Sequence, residues 1–255
     1  MMMTGNGAAR VGRSVCLGLL GMMLACAHQS PGVVKSGATD PTAERGSVLS
    51  FSERAGTEAD AGTVRMLVSG QFLRIDEGPD SQDFVLYDRK QDKAWNVVAE
   101  DRSVLLIHAP QTTGAVIKPD WQIETEASHA LGLAGLPNGT RSSYVRLSLA
   151  GQTCLHQVTA DLFPRELELW REYQLLLSRY SRQAADGGLS DQIVEADACR
   201  TAIKQLDPAT PLSGGFPLRE WNDAGYQRFL MDFRNGVVLD PVLFTIPAEY
   251  LLYQR

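Results

Sequence analysis

Four cysteines and four histidines are the residues of this chain best suited to nucleophilic, metal or acid–base chemistry, and their spacing argues against most of it. Cys16, Cys26, Cys154 and Cys199 form no Cys-x-x-Cys pair, and His28, His108, His129 and His156 are scattered, so neither a zinc site nor a redox dithiol is written locally. The chain has no Gly-x-Ser-x-Gly elbow, no His-Glu-x-x-His helix and no phosphate loop. His108 and His156 fall at the end or in the middle of expected strands, where a lone histidine is more often a hydrogen-bonded core or surface residue than a base. Glu166 with Glu168, and Glu100 with Asp101, read as solvated faces and turns. No catalytic residue, metal or cofactor is therefore expected. An enzyme would need a cleft that brings His108 or His156 to a carboxylate.

The one thiol with a local chemical context is Cys26. Arg10 and Arg13 precede an uncharged run of eleven residues, Val15 to Ala25, which ends at this cysteine. That run falls well short of the ~20 residues a spanning helix needs, so it reads as a cleavable leader. Its end, Met23-Leu24-Ala25-Cys26, resembles the lipobox of bacterial lipoproteins. The resemblance implies removal of residues 1–25, acylation of the Cys26 thiol, and a new N-terminus at that residue. Ala27 and His28 follow, without the aspartate of inner-membrane retention, so an outer-membrane anchor facing the periplasm is expected. The alternative is an ordinary secretory leader cleaved near Ala25-Cys26 or Ala27, which would leave no anchor. Loss of Arg10 and Arg13 from the 24 basic residues leaves 22 against 30 acidic ones, a charge of −8. An acidic body argues against nucleic acid and against a general attraction to anionic bilayers.

With Cys16 lost and Cys26 acylated, Cys154 and Cys199 remain. In an oxidising compartment an even remainder reads as one disulfide, the alternative being two buried thiols.

These residues must be positioned by the elements between them. Residues 26–47 are rich in Ser, Gly, Thr, Pro and Ala and read as a tether; 48–255 read as one globular domain. Val48–Phe51, Thr63–Ile75 with a bulge or close approach at Gly70, Asp83–Asp88, Lys93–Ala99, Ser103–His108, Gln122–Leu131, Tyr144–Leu149 and Thr153–Thr159 carry strand signals with tight polar turns, which indicates an antiparallel meander. From Leu162 the apolar period changes to three and four. A helix is expected from a cap at Asp161, through Pro164, to Gly187-Gly188. A second helix is expected over Asp191–Leu206, with Cys199 on its buried face and so within reach of Cys154. Phe216–Trp221, Gln227–Asn235 and Leu243–Ile246 return to strand. Trp170, Tyr173, Leu177 and Tyr180 form a stripe that is either domain core or the wall of an apolar ligand site. Trp221 and Tyr226, beside the Asn222–Gly225 turn, suggest an aromatic contact for a partner.

This order of elements resembles envelope proteins related to the LolA/LolB lipoprotein carriers, through Gly70-Gln71-Phe72-Leu73-Arg74-Ile75-Asp76, Phe84-Val85-Leu86-Tyr87-Asp88 with Trp95-Asn96-Val97, and the closing Leu243-Phe244 to Tyr250. The resemblance implies an α+β fold, a curled antiparallel half-barrel packed against one or two helices, enclosing space for acyl chains. The function expected is that of a non-enzymatic, membrane-anchored lipoprotein binding a lipid or another envelope component. A cavity-free assembly module is the alternative, and an uncharacterised enzyme the third class.

Overall fold

The computed structural model describes residues 45–57, 59–109, 118–128, 136–137, 139–186 and 198–254. The leader, Cys26, residues 26–44 of the expected tether, His129 and residues 191–197 of the expected second helix lie outside the described residues, while Arg45 to Ser47, expected at the end of the tether, belong to the first strand.

The strands are β1 (Arg45–Arg54), β2 (Gly62–Ser69), β3 (Phe72–Asp76), β4 (Phe84–Asp88), β5 (Lys93–Val98), β6 (Ser103–Ile107), β7 (Trp121–Ser128), β8 (Ser142–Leu149), β9 (Gln152–Ala160), β10 (Phe216–Trp221), β11 (Gln227–Val238) and β12 (Leu251–Gln254). They form one twelve-stranded sheet in the order β12-β6-β5-β4-β3-β2-β1-β11-β10-β9-β8-β7. Helix α1 spans Pro164–Asp186, and α2 is a single turn, Ala198–Thr201, running into a π-helical turn, Ala202–Leu206.

This overturns the expected half-barrel of antiparallel strands packed on helices. The sheet is open and mixed, because β12 runs parallel to β6, and α1 is the one long helix among the described residues. The physical reason is a pairing far apart in sequence. β11 docks antiparallel on β1 from Arg45↔Val238 to Arg54↔Gln227, so two meanders join side by side instead of one meander curling on itself.

Alternation along the strands serves two covered faces. Leu49 and Phe51 of β1, Met66 and Val68 of β2, and Tyr87 of β4 face one side, where Phe163, Leu169, Tyr173 and Leu176 complete the cluster. Val48, Leu67, Phe84, Leu86, Val97 and Val104 face the other side and are covered by Phe244, Leu243 and Ile246. Burial on both faces explains why several strands read as nearly continuous apolar runs.

Three local expectations change. Thr63–Ile75 is two strands: Gly70 has φ +55°, and Ser69 pairs with Phe72 across the two-residue turn Gly70-Gln71. A left-handed glycine followed by a polar residue makes a hairpin rather than a bulge. Leu243–Ile246 is not a strand, because the Asp240 carboxylate accepts from the Val242 amide at 2.9 Å and nucleates a 3-10 turn over Pro241–Phe244. Asp161 does not cap α1 and instead pairs with Arg141 at 2.8 Å, while the helix starts at Pro164.

Candidate functional site

The stripe on α1 is set by its helical spacing, and the structure places all four of its expected residues toward the sheet. Tyr173 is buried, with its ring 5.9 Å from that of Tyr87 and 5.7 Å from that of Trp170. Trp170, Leu177 and Tyr180 are half-buried against the same cluster. Leu169 and Leu176, interleaved with them, are 1% and 0% exposed, so side chains occupy the space beneath the helix. Burial pushes the Tyr173 hydroxyl up to about 12 from its ordinary 10.0.

Beside Trp170 lies a polar row that crosses four strands of the sheet. The register sets Glu53 of β1 opposite Arg228 of β11, Arg228 opposite Glu220 of β10, and Glu220 opposite Gln157 of β9. The Arg228 guanidinium is 3.7 Å from both Glu53 and Glu220 carboxylate oxygens. It also lies 3.9 Å from the Phe51 ring centroid and 5.1 Å from that of Trp170. Gln157 Nε2 donates to Glu220 Oε1 at 2.7 Å, and the Tyr226 hydroxyl donates to Oε2 at 3.4 Å. Gln157 Oε1 and Arg228 Nε are buried without a hydrogen-bond partner. Burial, then the Glu220 charge, pushes the Tyr226 hydroxyl upward. One guanidinium against two carboxylates leaves the row with a net negative charge, and Glu53 carries it to an open groove of about 400 Å³ lined also by Ala55, Asp60, Thr63 and Glu77. Chemically, the row can hold charge and accept hydrogen bonds.

The sequence reading missed this row. Glu and Arg at strand positions normally signal a wet face, and only the β1–β11–β10–β9 pairing brings these four together.

The histidines lie elsewhere. His108 is exposed. His156 Nδ1 is 2.7 Å from the Tyr144 hydroxyl, and its ring stacks on Trp221 at 5.2 Å and 8°. No carboxylate meets either of them within hydrogen-bond or ion-pair distance among the described residues. Trp221 thus belongs to a ring stack, while Tyr226 turns its hydroxyl toward Glu220; the two do not form one contact.

Cys154 of β9 and Cys199 of α2 are joined as a disulfide, Cα to Cα 5.1 Å. The adjoining π-helical turn is held as well. The Gln205 carbonyl accepts from Ser178 Oγ at 2.6 Å and from Arg182, and Ile203 packs against the Val145, Leu147, Leu155 cluster.

No helix among the described residues is long and apolar enough to cross a membrane. No family model matches the chain, and no curated protein matches it. Among solved structures it is similar to an uncharacterized conserved protein from Thermus thermophilus, at 11% identity over 84% of this chain and 92% of that one, TM-score 0.40. It is also similar to PNGF-II in its C2 and P21 crystal forms, at 8% identity over 83% of this chain, with TM-scores of 0.39 and 0.41. The chain spans about a third of the length of PNGF-II, 31% and 32% in the two forms.

Proposed function

We propose that the chain is a non-enzymatic envelope protein, anchored through acylated Cys26 to the periplasmic face of the outer membrane, which engages another envelope component across exposed parts of its sheet. The observation that carries this reading over an enclosed acyl-chain site is the distribution of apolar surface. The α1 stripe is packed against the sheet, whereas Phe229 and Met231 on β11, 42% and 47% exposed, lie on the strand face turned away from Leu230 and Arg228. Exposed aromatic and methionine side chains on one strand are the composition of a contact surface. Support for the anchor comes from the lipobox resemblance and the short apolar leader.

Two measurements test it. The full chain should fractionate with outer membranes and need detergent for release, and Cys26→Ser should leave it unprocessed or free. Membrane fractionation of Cys26→Ser identical to wild type would refute the anchor. A photo-crosslinking residue at Phe229 should trap a discrete envelope protein in intact cells, while native mass spectrometry of the purified chain should show no bound lipid. A stoichiometric acyl ligand would restore the carrier reading in its place.

A further inference from the structure

The two edges of the sheet differ in a way that bears on self-association. At one edge, β7 carries exposed Glu124 and Glu126, and Arg146 of β8 pairs with Glu124. Charge on an edge strand blunts it against further pairing, since a like strand would bring carboxylate against carboxylate. At the other edge, β12 has the sequence Leu-Leu-Tyr-Gln, with no charge, proline or bulge, and all four residues are exposed.

The backbone of β12 is directional. The Leu251 amide donates to the Arg102 carbonyl at 2.8 Å, and the strand pairs in parallel with β6 as Leu251↔Ser103, Leu252↔Val104, Tyr253↔Leu105 and Gln254↔Leu106. Strand alternation therefore turns the N–H and C=O groups of Leu252 and Gln254 away from β6. The side chains carry a second signal. Cross-strand pairing runs Phe84–Val97–Val104–Leu252 along one row. Exposure along it is 8%, 1% and 1%, then 55% at Leu252, so a buried apolar row ends in water at the edge.

We infer that β12 pairs antiparallel with β12 of a second copy of this chain, symmetric about Leu252, to continue the sheet from one copy into the other. In that register each Leu252 exchanges two backbone hydrogen bonds with its counterpart, using the groups that face outward. The apolar row then runs unbroken from Phe84 of one copy through both Leu252 side chains to Phe84 of the other. No like charges meet within the paired strands, whereas pairing through β7 sets acidic residues together. The inference rests on the geometry of this edge, not on the anchor or the envelope partner proposed above.

The register is tested by cysteine cross-linking of the full chain in intact cells. Opposed residues of a hydrogen-bonded antiparallel pair have Cα atoms about 5.5 Å apart, inside the range a disulfide spans. Leu252→Cys should give an oxidised species of twice the monomer mass, several-fold above wild type. Leu251→Cys, whose counterpart is Tyr253, should stay at the wild-type background. Co-expressed Leu251→Cys and Tyr253→Cys chains should cross-link to each other. For a readout free of oxidation, Leu252→Pro removes only an outward amide and leaves the Leu251 bond to Arg102 in place. It should halve the protein mass per particle of the detergent-purified full chain in light scattering while leaving its far-ultraviolet circular dichroism unchanged. A monomeric wild type, or a Leu252→Cys yield no higher than that of Leu251→Cys, overturns the inference. The anchor is read separately by the fractionation of Cys26→Ser.

Discussion

The Arg74 guanidinium donates through Nη1 to the Leu243 carbonyl at 2.9 Å, which ties the 3-10 turn near the end of the chain to a central strand of the sheet. The same side chain pairs with Asp76 at 2.7 Å and lies 3.8 Å from the Phe84 ring centroid. Asp76 has no exposed side-chain surface and takes a second arginine, Arg65, in a two-pronged contact at 2.7 and 2.9 Å.

Removing Arg74 therefore leaves a buried carboxylate short of one partner. Arg74→Ala should destabilise the protein by about 1.5–3 kcal/mol, since Arg65 still compensates the Asp76 charge. Arg74→Lys should rescue little of this, since an ammonium cannot reach Asp76 and Leu243 in the geometry of a planar fork. Denaturant unfolding measures the loss. Hydrogen exchange should localise it to residues 240–254, and unchanged protection there would separate the C-terminal segment from this contact.

Arg228 is the second buried cation. Glu220 is 9% exposed, so Arg228→Ala leaves it buried with Gln157 and Tyr226 as its hydrogen-bond donors. The expected cost is about 3–5 kcal/mol. The double variant Arg228→Leu/Glu220→Leu should recover part of it, because no orphan charge remains, although Gln157 and Tyr226 lose their acceptor. A double variant as unstable as Arg228→Ala would show that the row has a role beyond charge balance.

Tyr173 gives the fold an alkaline limit. Its hydroxyl is neutral in the folded state up to about 12, against 10.0 for an unperturbed tyrosine. Stability from this group is complete below pH 10 and declines between pH 10 and about 12, where the unfolded chain ionises and the folded one does not. The loss amounts to roughly 2–3 kcal/mol. Tyr173→Phe keeps the ring and should reduce that slope without abolishing it, because the Tyr87 and Tyr226 hydroxyls are pushed up as well; an identical slope in the variant would assign the effect elsewhere.

The disulfide gives a fourth prediction. Non-reducing peptide mapping should link Cys154 to Cys199, which are 45 residues apart, and free thiols at both positions would end the assignment. Replacing both with alanine should cost roughly 2–5 kcal/mol. The first region to exchange should be residues 198–206, which would then be held mainly by the Ser178 and Arg182 bonds to Gln205 and by Ile203.

Locally encoded features were legible in the sequence. Alternation located β4, β5, β6, β8 and β9 to within a residue or two, and the three-and-four spacing of Trp170, Tyr173, Leu177 and Tyr180 located α1 and its inner face. What escaped depends on partners distant in the chain. Nothing near Val48 or Phe229 announces that β1 and β11 are neighbours, and without that pairing Glu53, Arg228 and Glu220 look like three separate surface residues. Apolar residues on both sides of Gly70 suggest a bulge or close approach within one strand, although its left-handed backbone reverses the chain. β12 was missed because a four-residue strand with no buried side chain has no alternation to detect.

The pairing of β1 with β11 also dictates a timetable. A chain emerging N-terminus first presents β1 long before the strand that lies against its second edge, from Gln227 to Val238. Until then the backbone of β1 is paired only with β2, and the Leu49 and Phe51 surface is covered by α1 but still lacks Leu230 and Phe216. Such late closure makes assembly slow and leaves a sticky intermediate for most of synthesis or transit, so a chaperone that shields this surface should matter more to yield than any single contact in the finished molecule.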